Sequence, residues 1–380
     1  MIQDIDSSFR SPKDVKGLAK AIRRITTQEW NIMEICGGQT HSLAKYNIEE
    51  MLPPEIRLIH GPGCPVCVTS VSVIDHAVHL AMQPGVCLCT FGDMMRVPGT
   101  KDDLLSAKAR GGNVKMLYSP LDALRLAVEN PQQQIVFFAI GFETTLPIYA
   151  LAVIEAQRLK LTNFSILPAL VSVPPAMEAL LSDPENIIDG FLAAGHVCAV
   201  TGTMEYNLLA NQWQVPIVIA GFEPADLLYG IFLCIKRLES GEINVDNAYS
   251  RIVTSNGNMQ ALQKIKQVFY VSDQEWRGLG ILKNSGFKIN ETYKQYDATK
   301  RFHLKQKPSA SERCEAGKIL SGKITPYDCP EFGQRCTPEH PLGAPMVSTE
   351  GVCSAYYRYK RYNYDRTQNN RKLSVTEIRL

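Results

Sequence analysis

Between residues 30 and 230 the chain alternates short apolar runs with stretches of helical period, and glycine or proline marks most of the junctions. The runs are NIMEIC before GG, IRLIH before GPG, VCLCTF before GD and VKMLY before SP, then IVFFAI before GFE, FSILPALVSV before PP, HVCAV before TG and VPIVIA before GFE. A strand with one wet face alternates apolar and polar residues, whereas a continuously apolar run needs cover on both faces. Helices flanking a parallel sheet supply that cover, so the pattern predicts an α/β fold. Four runs precede residue 120 and four follow residue 134. The expectation is therefore two small parallel-sheet α/β domains, at 30–130 and 131–238, parted near ENPQQQ (129–134). Most motifs fall just after the runs, at the strand ends where open parallel sheets bind ligands. Two such edges facing one another would form a cleft. From about residue 239 helical patterns such as NMQALQKIKQVF give way to a loop-rich, cysteine-bearing segment at 308–353. We expect 239–380 to form a third domain, with residues 1–29 packed on it.

Composition narrows the partners rather than naming a function. Hydrophobic residues make up 45% and charged residues 21%, with a formal net charge of +2, so nothing marks a polyanion-binding surface. No run approaches the ~18 apolar residues of a membrane helix, and MIQDIDSSFRSPKD lacks the apolar core of a secretory leader. The expected setting is cytoplasmic, with no membrane or nucleic-acid partner. The basic, tyrosine-rich tail YYRYKRYNYDR reads either as an RNA-stacking surface or as a loose end packing a few tyrosines. Cytosolic thiols stay reduced, so eleven cysteines point to metal or redox chemistry rather than a disulfide framework.

Cys314, Cys329, Cys336 and Cys353 have 14, 6 and 16 residues between them. Four thiolates in a segment poor in apolar runs suit soft-metal ligation, and their spacing leaves iron–sulfur and zinc both open. Inside the segment GKILSGKI nearly matches a phosphate-binding loop, but Ile324 replaces the hydroxyl residue that would hold magnesium. GPGCPV likewise misses the dinucleotide fingerprint at Val66.

In GPGCPVC the pair Cys64 and Cys67 precedes a stretch with apolar residues at 71, 74, 78 and 82, one face of a helix that stops at QPG. A pair at a helix start can form a redox couple with a lowered thiol pKa, or can be part of a tight turn. Cys36 ends the first run in EICGGQTH, with His41 five residues on. It reads as a metal ligand, a nucleophile or a buried core thiol. Cys87, Cys89, Cys198 and Cys234 read as small core hydrophobes, and His76 and His79 as a solvated helix face.

Taken together, CGGQTH, GPGCPVCVT, FGDMMRVPG, GFETTLP, VPPAM, GHVCAVTG, GFEP, the four-cysteine spacing and STEGVCSAYYRY resemble the HypD family of [NiFe]-hydrogenase maturation proteins, nearly along the whole chain to about Tyr359. The resemblance implies two α/β domains and a C-terminal domain holding a [4Fe-4S] cluster on Cys314, Cys329, Cys336 and Cys353. It implies a redox-active scaffold, rather than a conventional turnover enzyme, for assembly of a transient Fe(CN)2CO group destined for the hydrogenase large subunit. Cys36 is then the iron ligand, Cys64 and Cys67 the redox pair, and His41 and Glu350 supporting residues. The implied partners are a HypC-type small chaperone and a HypE-type cyanide donor. Gln39 departs from the family, which usually has histidine there. We add that GFETTLP, with Glu143, Thr144 and Thr145, would line the site, its glycine and threonine amides and hydroxyls hydrogen-bonding cyanide nitrogens. An iron–sulfur thiol–disulfide reductase uses the same parts without iron at Cys36, and a zinc-stabilised binding protein is the non-catalytic alternative.

Overall fold

The computed structural model describes residues 11–305 and 314–360. Its strands sort into two sheets. The first is parallel throughout, built from β1 (Trp30–Glu34), β2 (Ile56–His60), β7 (Gly190–Ala194), β8 (Ile217–Ala220) and β9 (Val245–Asn247) in the order β2-β1-β7-β8-β9. The second places β3 (Val86–Thr90), β4 (Val114–Met116), β5 (Gln134–Gly141) and β6 (Phe164–Val171) parallel to one another. The antiparallel hairpin of β10 (Phe269–Trp276) and β11 (Gly280–Ile289) extends it, giving β10-β11-β6-β5-β3-β4. An α/β architecture with two parallel-dominated sheets is what the apolar runs predicted.

The partition along the chain is different. The chain leaves the first sheet after β2, builds the parallel part of the second, and returns to the first at β7. The boundary expected near residues 129–134 thus falls inside the second sheet, where β5 pairs with β3 from Val86↔Gln134 onward. Apolar runs reveal that a strand is buried but not which strand lies beside it. Nor do residues 239–380 form one block, because β9 joins the first sheet and the hairpin joins the second. The Pro12–Ile25 helix buries Val15 and Ile22 against Leu228 and Ile231 of the Pro224–Ser240 helix, on the first sheet and not on the cysteine segment. HVCAV, expected as a strand, lies in the Gly195–Thr201 helix; the strand is the preceding GFLAA. Five apolar residues are too few for periodicity to separate the two.

Burial explains the runs. In β3, Val86 and Leu88 enter one core cluster while Cys87 and Cys89 enter another on the opposite face. β5 splits the same way, Val136 and Phe138 against Ile135 and Phe137. The side-chain period of two therefore persists although both sets are apolar. Each fully buried phenylalanine contributes roughly 1.5–3 kcal/mol.

Candidate functional site

Carboxyl ends of the first sheet converge on one sulfur. β1 runs out at Glu34, and Cys36 caps the Gly37–Lys45 helix that follows. β2 leads through Gly61-Pro62-Gly63 to Cys64, which caps the one-turn Pro65–Val68 helix. The two loops touch through backbone. A side chain on Gly63 would start 2.1 Å from the Cys36 nitrogen, and one on Gly37 would start 2.7 Å from Glu350 Cβ and 3.1 Å from Cys64 Cβ. Only glycine permits such approach. The Gly-Pro-Gly ahead of the cysteine pair is thus a packing device that sets Cys64, Cys36 and Glu350 around one point.

Cys36 is almost wholly buried. Burial first, and then the Glu34 carboxylate, push its thiol well above the ordinary value, while backbone N–H groups of Gln39 and Gly38 pull the other way. From β7 comes His196, whose Nδ1 lies 3.7 Å from Cys36 Sγ. Burial holds its pKa down at about 4, so it is neutral. From β8 comes Phe222, its ring 5.1 Å from that of His196. Four neighbouring strands of one sheet therefore feed the site, as the strand-end rule expects.

Beneath Cys36 lies Glu34, fully buried, accepting from the Cys36 N–H (2.8 Å), the Thr40 hydroxyl and His60 Nδ1 (2.8 Å). His60 Nε2 meets Glu49 at 3.0 Å. Burial alone would lower the pKa of His60, but its two carboxylate bonds more than offset this and raise it to about 9.

Cys64 and Cys67 are both buried (3% and 0%), so neither is an exposed thiol. The lowered thiol pKa expected from a helix start is not found at Cys67. Burial, then the adjacent Cys64 thiol, push it well up. The long helix Val71–Ala81 starts only after Ser70, and one turn supplies little aligned dipole. Cys67 also feels the charges of Cys353 and Glu350. Cys314, Cys329, Cys336 and Cys353 line one small apolar cavity with Ile319, Phe332, Leu342 and Met346. Burial, then Cys314, Cys336 and Cys329, push the Cys353 thiol well up. The Leu342 N–H points at Cys336 Sγ (3.4 Å), and a side chain on Gly343 would start 2.1 Å from Cys314 Sγ. Among the described residues no three His, Cys, Asp or Glu side chains close on a single-ion position.

Glu350 sits against Gly37; burial, then Asp93, raise its pKa, and His41 lowers it. His41 itself turns to the cysteine segment, with Nδ1 3.1 Å from the Thr349 carbonyl oxygen and its ring edge-on to Tyr359. Glu143, Thr144 and Thr145 are not joined to Cys36 by any hydrogen bond. Glu143 accepts from the Ser172 hydroxyl (2.7 Å) and Val173 N–H (2.9 Å), and the Thr145 hydroxyl donates to the Phe142 carbonyl (3.0 Å). Burial raises the Glu143 carboxyl to about 7. The sequence reading missed His196, Asp93, Phe222 and Glu34. GHVCAVTG, FGDMMRVPG and GFEP were visible as motifs, but nothing in them told which side chain faces the thiol. The basic tail beyond residue 360 lies outside the described residues.

The family described as "HypD: Hydrogenase formation hypA family" matches residues 13–360. The chain belongs to the HypD family. It is 44% identical over 365 residues to hydrogenase maturation factor HypD2 of Bradyrhizobium diazoefficiens, covering 93% of this chain and 96% of that protein. Against hydrogenase maturation factor HypD of Escherichia coli strain K12 it is 42% identical over 362 residues, 93% and 97% of the two chains. Against HypD of Azotobacter vinelandii it is 46% identical over 342 residues, 88% and 90%. For a HypD chain, Gln39 is the residue of interest. It is fully buried, and its amide nitrogen lies 3.1–3.4 Å from the carbonyl oxygens of Ala193, Ala220 and Gly221. It ties the Cys36 helix to the ends of β7 and β8, a donor task that needs no titrating ring. No helix among the described residues is long and apolar enough to cross a membrane.

Proposed function

We propose that this chain is a hydrogenase maturation factor that serves as scaffold and redox centre for assembling the Fe(CN)2CO group. The carrying observation is that Cys36, Cys64 and Glu350 meet around Gly37, with Cys67 within electrostatic reach of Cys353. Iron bound for the hydrogenase is cargo here, and Cys36 is its ligand. One protein thiolate leaves most of the coordination sphere open to two cyanides, a carbonyl and a sulfur from a HypC-type chaperone. A HypE-type protein brings the cyanide, and the hydrogenase large subunit receives the product. Because the Cys36 thiol is pushed up, taking iron must release a proton. His196 Nδ1, neutral and 3.7 Å away, is placed to accept a hydrogen bond from the thiol, but with its pKa held at about 4 it does not keep the proton, which passes on to solvent.

Cys314, Cys329, Cys336 and Cys353 fit a [4Fe-4S] cluster in a C-terminal iron–sulfur unit. Four thiols face one apolar cavity, a backbone N–H reaches one sulfur, and the Gly343 position leaves room at another. When bound, such a cluster supplies electrons one at a time. Reducing a Cys64–Cys67 disulfide to the dithiol consumes two electrons and two protons, so two such transfers from a low-potential donor are needed. Cys67, the member of the pair that feels Cys353, is the natural entry sulfur.

Infrared spectroscopy of the anaerobically purified complex with its small chaperone tests the reading. Cyanide and carbonyl bands are expected in the parent protein and absent in Cys36→Ser, which keeps its brown cluster. Undiminished bands in the serine variant would place the iron elsewhere. A brown protein with a cycling Cys64–Cys67 pair and no bands at all would favour the thiol–disulfide reductase.

A further inference from the structure

A row of alternating charge is buried beneath the thiols. Glu34 Oε1 lies 2.8 Å from His60 Nδ1, His60 Nε2 lies 3.0 Å from Glu49 Oε1, and Glu49 Oε2 lies 2.5 Å from Lys360 Nζ. Glu34 is fully buried, and His60 and Lys360 nearly so. A carboxylate only accepts hydrogen bonds, so a histidine bonded to one at each nitrogen carries both protons. The four groups therefore alternate in sign and sum to zero, the condition under which charge is tolerated inside a protein. Tyr356 covers the row, its ring edge-on to His60 at 5.5 Å and 4.5 Å beneath the Lys360 ammonium.

One end reaches the Cys36 loop, and the other reaches the far end of the helix that carries Cys353. At one end Glu34 Oε2 takes the Cys36 N–H at 2.8 Å. At the other, Lys360 caps the Val352–Tyr359 helix, which carries Cys353 in its first turn. The Lys360 N–H bonds the Tyr356 carbonyl oxygen (2.9 Å), and its own carbonyl oxygen accepts from the Tyr327 hydroxyl (2.7 Å). No other charged side chains join the backbone of the Cys36 loop to that helix through hydrogen bonds among the described residues.

We propose that this row is a strut holding Cys36 in register with the helix of Cys353, with His60 as its central positioning residue. Cutting it at Lys360 strands Glu49, frees His60 to follow it, and so releases Glu34 from the Cys36 backbone. The consequence at Cys36 arises at the far end of the row, without any change in the residues that touch the sulfur. The strut matters for function only if Cys36 is the working thiol, as proposed above, but its existence does not depend on iron.

The test reads the thiol directly in the full-length, anaerobically purified protein. Rates of iodoacetamide labelling at each cysteine are followed by mass spectrometry in the parent, His60→Gln, Lys360→Met and the double variant. Cys87, buried in β3 of the second sheet, and Cys234, buried in the Pro224–Ser240 helix packed on the first, are internal references for general loosening. Cys36 should label about tenfold faster in each single variant, as a locally opened segment does, with both references unchanged. The double variant should be no faster than the singles, because both cut the same row. Unchanged Cys36 labelling, or a rise matched at Cys87 and Cys234, overturns the proposal. Should His60→Gln fail to fold, Lys360→Met at the end of the row decides alone. Since no iron signal is read, failure of the assembly role would leave this result standing.

Discussion

The two sulfur sites are held by opposite means. Cys36 stands at the end of a central strand, its nitrogen bonded to Glu34, its neighbours set by glycine-tight backbone, by His196 from the end of β7, and by Gln39 of its own helix, which bonds the ends of β7 and β8. The four late cysteines stand on short helical turns and loops, around a cavity lined by apolar side chains. The first site is positioned by hydrogen bonds the fold makes anyway. The second encloses a space that protein atoms alone do not fill. On the proposed function, a scaffold that must accept and release cargo gains from the first design, and a bound cluster would supply the missing bonds in the second. The difference can be probed by perturbing each side separately.

The largest effect is expected at the late cysteines. Cys353→Ala removes a ligand and leaves a buried void, so the brown colour should disappear and the melting temperature should fall by about 10 °C or more, as loss of a metal site does. Absorption and calorimetry check this, and Cys36→Ser in the same assays should change neither. Next is Gly63→Ala, whose new methyl would start 2.1 Å from the Cys36 nitrogen. Backbone on backbone cannot yield, and a loss of roughly 3 kcal/mol is expected by denaturant titration. A cost near zero would mean that the two loops are not locked.

A third, smaller effect is a pH dependence confined to the Cys36 side. His60 has a folded pKa raised to about 9 between Glu34 and Glu49, with Lys360 and Tyr356 packed beside it. A raised pKa contributes stability that is full below the unfolded value near ~6.5 and is lost as pH rises through about 9. The melting temperature should therefore decline across that window, and His60→Gln should flatten the decline. The smallest effect is at Gln39. Gln39→Leu leaves the carbonyls of Ala193, Ala220 and Gly221 without their donor, at about 1–3 kcal/mol. The pH profile of maturation should keep its shape in that variant, whereas a moved profile would assign position 39 a proton-transfer role.

The same contrast sets how much the sequence could tell. Strands with a long apolar run, such as β5 and β6, were legible because both faces are covered. Cys36, Cys64 and Cys67 were legible because they follow such runs directly, where a strand end must open to ligands. Sheet membership was not, because pairing of β1 with β7 is set by contacts far apart in the chain. His196 was hidden by the same limit. Its neighbour in sequence is a strand end, but its neighbour in space, Cys36, lies in the first tenth of the chain. The charges under Cys36 were equally hidden, since Glu34, His60, Glu49 and Lys360 share no motif.

The detour of the chain through the second sheet also orders events during synthesis. β2 and β1 leave the ribosome early, yet β1 can be flanked on its other side only when β7 emerges, and β8 later still. By then the whole of β3 to β6 has been made and can pack as a unit. His196, Gln39's carbonyl partners and the Lys360 end of the buried charges all reach Cys36 after that point. A nascent chain thus carries the Cys36 thiol through most of translation without the surroundings that would let it grip iron. On the proposed reading, that thiol would gain its full set of neighbours only as the last tenth of the described chain docks.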